Sequence, residues 1–216
     1  MKLSSLAVTT GVSTASIKYY IHVGILPAGR KRNATTAVYD DVHVHRLALV
    51  TWLRAELHTP LGSIADLARA IDDENVPMIE LMGECQRLAL SSGGTAAPRR
   101  TPAGESSRHD FNDDVLSALE ELGWPDISPT ARRSVSDALA DFAAAGYVVG
   151  PDTIILHARA LTKIVRENVD PITDGLSRDE VCLQVIRGVT MHNRLLIATS
   201  ALVHASISAL GHERQS

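Results

Sequence analysis

Cysteine and aromatic side chains are scarce in this chain. Only two of its 216 residues are cysteine, Cys85 and Cys182. They lie far apart and neither belongs to a C-x-x-C pair, so neither a disulfide framework nor a zinc ribbon is indicated, and two semi-buried thiols in a reducing compartment are expected. Phe, Trp and Tyr together make up 4% of the residues. Ala, Leu and Val instead fill long windows without period-two alternation, which makes a mainly α fold the expectation. No apolar run reaches the roughly eighteen residues of a membrane span. The opening MKLSSLAVTT also lacks the charged region and apolar core of a signal peptide, so a cytoplasmic protein without membrane association is expected. Catalytic motifs are missing as well: no G-x-S-x-G, P-loop, G-x-G-x-x-G or H-E-x-x-H pattern occurs, and the chain does not read as an enzyme or as the holder of a cofactor. His43 and His45, two apart on a helical segment, point to different sides and chelate poorly, so no metal site is expected.

A formal net charge of −4 would argue against a polyanionic partner if it were evenly spread. Residues 1–58, however, hold seven cations (Lys2, Lys18, Arg30, Lys31, Arg32, Arg46, Arg54) against three acids (Asp40, Asp41, Glu56), a net of +4 that leaves −8 on the remainder. A basic head that meets a polyanion, followed by an acidic body with another task, fits this asymmetry.

At this length the chain can form one large or two small domains, and two are expected. LSSLAVTT reads as a short helix capped by Ser4, and Gly11 turns the chain. STASIKYYIHVG then restarts with Ser13 as N-cap, places Ile17 and Ile21 on one face, and ends at Gly24. Two short helices joined by a glycine-containing turn form a helix-turn-helix signature. ILPAGRKRNATTAVY suits a small β wing. Asp40 is placed to cap a third helix, and Thr59 with Pro60 opens a fourth. In VPMIELMGECQRLAL, the spacing of Met78, Leu81, Cys85 and Leu88 forms a coiled-coil seam of little more than one heptad, able to pair with a second chain. Residues 92–109, rich in Gly, Pro, Ser and Thr, read as a flexible linker. Four helical patterns follow, at 111–122, at 129–145 after Ser128, at 152–169, and at 177–210 after the capping box SRDE. The last is apolar on most faces, which requires cover on all sides, as a bundle spine or as half of a subunit interface. The expected domains are thus 1–72, a dimerisation helix over 73–91, the linker over 92–109, and one helical domain over 110–216.

Several linked motifs in the head have a family counterpart. KLSSLAVTTGVSTASIKYYIHVGIL carries a helix, a Gly-Val-Ser turn, a basic residue and an aromatic pair before Gly-Ile-Leu. YDDVHVHRL and LHTPLGSIADL continue the pattern into the third and fourth helices, with His58 where glycine is usual. On these motifs residues 1 to about 71 resemble the MerR family of bacterial winged-helix transcription regulators. The resemblance implies a homodimer that binds a pseudo-palindromic double-stranded promoter site, acts with RNA polymerase there, and answers to an effector held by its C-terminal region.

The chemistry of the residues agrees. Lys18 and Tyr20 can donate to phosphate oxygens, and a tyrosine does so with little side-chain entropy to lose. Arg30, Lys31, Arg32 and Asn33 in the wing would reach flanking phosphates or a minor groove. Thr14 and Ser16, early in the second helix, would face base edges. By the resemblance, Lys18, Tyr19, Tyr20 and Tyr39 match positions that support or contact the DNA backbone. One departure is clear: many members have arginine where this chain has Ala37.

For residues 110–216 the expectation is a helical bundle that encloses a small apolar or amphipathic effector, with Trp124, Tyr147, His157, His192 and Asn193 as lining residues. Two alternatives come from other classes: a sequestrant that binds a drug-like molecule, and a DNA-architectural protein without a ligand.

Overall fold

The computed structural model describes residues 1–31, 37–91, 110–168 and 175–213. The wing residues Arg32 and Asn33 and the expected linker over 92–109 lie outside the described residues. The fold is mainly α with one small β element. Helices α1 (Leu3–Thr10) and α2 (Thr14–His22) precede strands β1 (Arg30–Lys31) and β2 (Ala37–Val38). They are followed by α3 (Asp41–Glu56), α4 (Leu61–Asp72), α5 (Met78–Ser91), α6 (Asn112–Leu122), α7 (Pro129–Ala144), α8 (Pro151–Asn168) and α9 (Arg178–Glu213).

Most boundaries follow from the capping chemistry. Gly11 takes the left-handed conformation that ends α1, at φ 68°, and the Ser13 hydroxyl accepts from the Ser16 amide at 3.0 Å to start α2. Ser177 and Glu180 form the expected box at α9: the Ser177 amide donates to Glu180 Oε2 at 2.8 Å and the Glu180 amide donates to Ser177 Oγ at 3.3 Å. Two expected caps move. Helix α1 begins at Leu3 with Lys2 as its N-cap, two residues ahead of Ser4. At α4 the N-cap position falls on Pro60, which supplies no capping side chain, while Thr59 is buried one residue ahead with its hydroxyl unpaired.

The chain divides into two compact units, one formed by Met1–Thr95 with Ile172–Ser216 and the other by Ala96–Pro171. The single helical domain expected over 110–216 is therefore corrected. Helix α9 packs on α3 and α5, and its Cys182 and Ile186 are fully buried with Ile25, Leu53, Ile64, Leu81 and Cys85. The seam on α5 exists, with Leu81, Cys85 and Leu88 all buried, but it is covered by α9 of the same chain rather than left for a second one. Covering the seam from within is the physical reason that α9 belongs with the head.

A second cluster joins Leu6 of α1, Ile17 of α2, Leu26, Tyr39 and Leu47 of α3. It sets the angle of α2 and the wing. In the other unit, α6 packs on α7 and α8 around a small core of Phe111, Val115, Leu139 and Ala140. Among the described residues no helix is long and apolar enough to cross a membrane.

Candidate nucleic-acid interface

Helix α2 presents two faces of opposite chemistry. Ile17 is wholly buried, which at full burial contributes about 2 kcal/mol and fixes the rotation of the helix. Thr14, Ala15, Lys18 and Tyr19 are exposed, whereas Ser16 and Tyr20 are half-buried. Thr14 and Lys18 are four apart, as are Ala15 and Tyr19, so these four residues form one continuous outer strip.

The expected site residues on α2 differ in their surroundings. Ser16 is partly committed to the helix cap, its hydroxyl 2.9 Å from that of Ser13. Tyr20 packs at the edge of both apolar clusters of the head, and its ring centroid lies 6.2 Å from that of Tyr19. Tyr19 is the freer of the two, with 49% of its surface exposed. Together Ala15, Ser16, Tyr19, Tyr20, Arg54 and Leu61 line an open groove of about 340 Å³. Arg54 was not among the residues expected from sequence, although its charge was counted in the basic head. Its signal is position: it lies near the end of α3, where it also donates to the Thr59 carbonyl at 3.1 Å.

The wing is an antiparallel pair in which Arg30 faces Val38 and Lys31 faces Ala37. Directly opposed residues share one face of such a ribbon, so Lys31 emerges beside the position that carries arginine in many relatives of the resembled family. Both Arg30 and Lys31 are exposed. Tyr39, by contrast, is buried, with only 6% of its surface exposed. Its ring meets His43 edge-on at 5.0 Å between centroids, and its amide donates to the Met1 carbonyl at 2.8 Å. It is a packing residue of the wing root rather than a surface contact.

Not every cation of the head is available to a polyanion. Arg46 is buried and ion-paired with Asp179 and Asp72. Its guanidinium also donates to the Ile25 carbonyl at 2.9 Å. Burial opposes the Arg46 charge, yet the two carboxylates raise its pKa above the ordinary value. At the start of α3 the His43 ring, 2.7 Å from the Asp40 carboxylate, holds that acid below its usual range.

The expected effector residues are not brought together. Trp124, Tyr147 and His157 are exposed in the α6–α8 unit. Tyr147 stacks edge-on with Phe142 at 5.6 Å, and His157 Nδ1 lies 2.7 Å from its own helix at the Thr153 carbonyl. His192 and Asn193 are half-buried on α9, in the other unit. The α6–α8 unit does hold a cleft of about 300 Å³, but Asp110, Asn112, Pro129, Arg132, Arg133, Ser136 and Asp137 line it. That lining is charged, contrary to the apolar pocket expected, and includes none of the five residues. Among the described residues no group of three or more His, Cys, Asp or Glu side chains could hold a metal ion.

Residues 1–71 match the family described as MerR HTH family regulatory protein. The whole chain is similar in fold to the crystal structure of a candidate transcriptional regulator, SCO5550, from Streptomyces coelicolor A3(2). The two share 24% sequence identity at a TM-score of 0.67, over 97% of this chain and 96% of that one. No curated protein matches the chain. The matched segment holds the helix-turn-helix, the wing and the third and fourth helices, so the head of this chain, residues 1–71, is similar to the MerR family of helix-turn-helix regulatory proteins.

Proposed function

We propose that this protein is a transcription regulator that binds a pseudo-palindromic promoter site as a homodimer, through α2 and the β1–β2 wing. The observation that carries the reading is the outer strip Thr14, Lys18 and Tyr19 on a helix anchored by Ile17, with Arg30 and Lys31 on a wing rooted in the same apolar cluster. Thr14 stands at the N-terminal turn of α2, where a recognition helix meets base edges. Lys18, Arg30, Lys31 and Arg54 supply phosphate contacts that release counterions. Lys31, opposite Ala37, takes over the contact for which related wings use arginine. Tyr20 and Tyr39 act from beneath by holding α2 and the wing root in place.

On this reading control enters through the α6–α8 unit. The chain inserts that unit between α5 and α9, two helices that pack on each other, with α9 also against α3 of the head. A small molecule bound in it would bias how those helices meet, and so how two heads are spaced on one site.

The test is fluorescence anisotropy of labelled promoter DNA titrated with the purified full-length protein across a salt series. The expected result is tight binding whose logarithm falls steeply with log salt, weakened by Lys18→Ala. Binding that is weak at low salt and unchanged by Lys18→Ala would overturn the reading.

A further inference from the structure

We infer that the cleft between α7 and the segment leading into α6 binds a small zwitterion of amino-acid type, its carboxylate on Arg132 and Arg133 and its ammonium on Asp110 and Asp137. The inference deepens the regulator reading by naming the chemistry of the molecule to which the α6–α8 unit answers. Only that regulatory role rests on the reading.

The register of α7 sorts the charges. Arg132 and Ser136 stand four apart, as do Arg133 and Asp137, so each pair is stacked on one side of the helix. The two cations thus occupy one turn, and the hydroxyl and the carboxylate the next, about 6 Å further along the axis. The cationic turn is the one nearer Pro129, where α7 begins, and the positive end of the helix dipole adds to it. Asp110 and Asn112 face these residues across the cleft. The buried Ser136 donates its hydroxyl to Asp110 Oδ1 at 3.2 Å, which sets the second acid beside the turn that carries Asp137.

These groups are fixed in place but not used up. Arg132 is oriented by Asp126, whose Oδ2 lies 3.0 Å from its Nε, and by Asn112, to which its Nη1 donates. Among the described residues nothing takes its Nη2 donors. Asp110 Oδ1 accepts from the Asn112 amide at 3.0 Å and from Ser136, which leaves Oδ2 for a ligand. Arg133 and Asp137 are both exposed, and among the described residues neither has an ion-pair partner. They do not pair with each other, because a cation on the N-terminal side of an acid is the weaker order for an i,i+4 pair.

The balance of charge selects the ligand. Two guanidinium groups and two carboxylates surround the cleft of about 300 Å³. A dianion would meet two uncompensated acids there, and a polyamine would meet two uncompensated guanidinium groups. A short molecule with one charge of each sign meets its opposite at both ends. Its carboxylate can take paired bonds from a guanidinium fork. Pro129 is the sole apolar residue of the lining, so an apolar effector gains nothing by entering. Size sets the limit: at roughly 30 Å³ per water the cleft holds about ten waters, the room of an amino acid or a dipeptide.

The experiment uses the full chain without DNA. The common amino acids and the dipeptides Gly-Gly and Ala-Ala are screened for a rise in melting temperature, and the best of them is titrated by calorimetry. At least one should bind. Its amide and its N-acetyl derivative, each lacking one charge, should bind about tenfold more weakly or worse. Arg133→Gln and Asp137→Asn, both at exposed positions, should each raise the dissociation constant about tenfold with an unchanged circular dichroism spectrum. No rise with any of these compounds, or a bound compound whose affinity neither variant changes, would overturn the proposal. Lys18→Ala should bind the compound as wild type does while it loses DNA affinity, so failure of the cleft and failure of the regulator reading give different results.

Discussion

Arg46 on α3 and Asp179 in the first turn of α9 form an ion pair that is closed to solvent from both sides, with 1% and 5% of their side chains exposed. The same guanidinium donates to Asp72 Oδ1 at 2.6 Å and to the Ile25 carbonyl at 2.9 Å. One planar fork therefore fastens α3, the end of α4, the turn after α2 and the start of α9, a geometry that a lysine could not supply. Beside it Arg178 donates to the carbonyls of Ala70 and Val76, each at 3.0 Å. The N-terminus of α9 is thus tied through Arg46 and Arg178 to the turn after α2 and to the end of α4.

Asp179→Ala should show what this pair contributes. Burial pushes the Asp179 carboxyl above its ordinary pKa, and Arg46 opposes that shift, so the pair itself adds little over a well-packed apolar substitute. Removing one partner is different, because it leaves the buried Nε of Arg46 unpaired while Asp72 and the Ile25 carbonyl still hold the rest of the guanidinium, and a loss of about 1–3 kcal/mol is expected. Urea unfolding at unchanged m-value measures it. A loss below about 1 kcal/mol would mean that water reaches Arg46 in the native state.

Lys18→Ala and Lys31→Ala should each weaken promoter binding almost equally across DNA sequences and lower the slope of log affinity against log salt by about 1. Thr14→Ala should leave that slope unchanged and relax preference at one base step. Anisotropy titrations on matched and mutated sites separate the two behaviours. A slope unaltered by both lysine changes would remove α2 and the wing from the phosphate contact.

How much of this was legible in the sequence depends on the range of the interactions. Ser13, Gly11, Asp40 and the Ser177–Glu180 box act within a turn, so the chain shows them directly, and the helix-turn-helix and wing follow. Packing between elements far apart is another matter. The α5 seam is visible in the spacing of Leu81, Cys85 and Leu88, yet nothing local distinguishes a partner from another chain from α9, about a hundred residues on. Arg46 likewise reads as one more cation of a basic head until Asp72 and Asp179 are seen around it. Effector residues chosen for their chemistry, Trp124 and His192 among them, fell into separate units for the same reason.

Cys85 and Cys182 should be silent toward a thiol reagent in the native protein. Both are buried and free. The hydrogen-bonded Cys182 thiol and burial together push Cys85 far above the usual thiol range, and the thiolate is the reactive form. An aromatic disulfide reagent should release almost no colour at neutral pH and two equivalents after addition of denaturant. Fast labelling of either thiol in the folded state would show that α5 and α9 part readily.

The start of α9 should also be sensitive to acid. The Ser177 amide, and after it the Ser177 hydroxyl, hold Glu180 below its ordinary value of 4.5. A carboxylate whose pKa is lowered by folding stabilises the native state fully above the unfolded value and loses that contribution as pH falls through the folded one. Thermal melts from about pH 7 down to about pH 3 should therefore show an acid limb that Glu180→Gln makes shallower. Equal limbs for the two proteins would mean that the capping box does not form in solution.

Gly29 is the position at which a single methyl group should disturb the wing. A Cβ there would stand 2.8 Å from Tyr39 Cε1 and 2.9 Å from Cζ, and the ring cannot retreat, because Tyr39 is buried against Leu6, Ile17 and Leu47. Gly29→Ala must then displace either the ring or the start of β1, at a cost of about 1–3 kcal/mol, typical of overpacking. Displacing β1 moves Arg30 and Lys31, so DNA affinity should fall although no contact residue has changed. Tyr39→Leu in the same chain frees the space, and the double variant should be more stable than the sum of the single changes predicts. Strict additivity would show that the wing yields without loading its root, and that Tyr39 does not set the position of the cations.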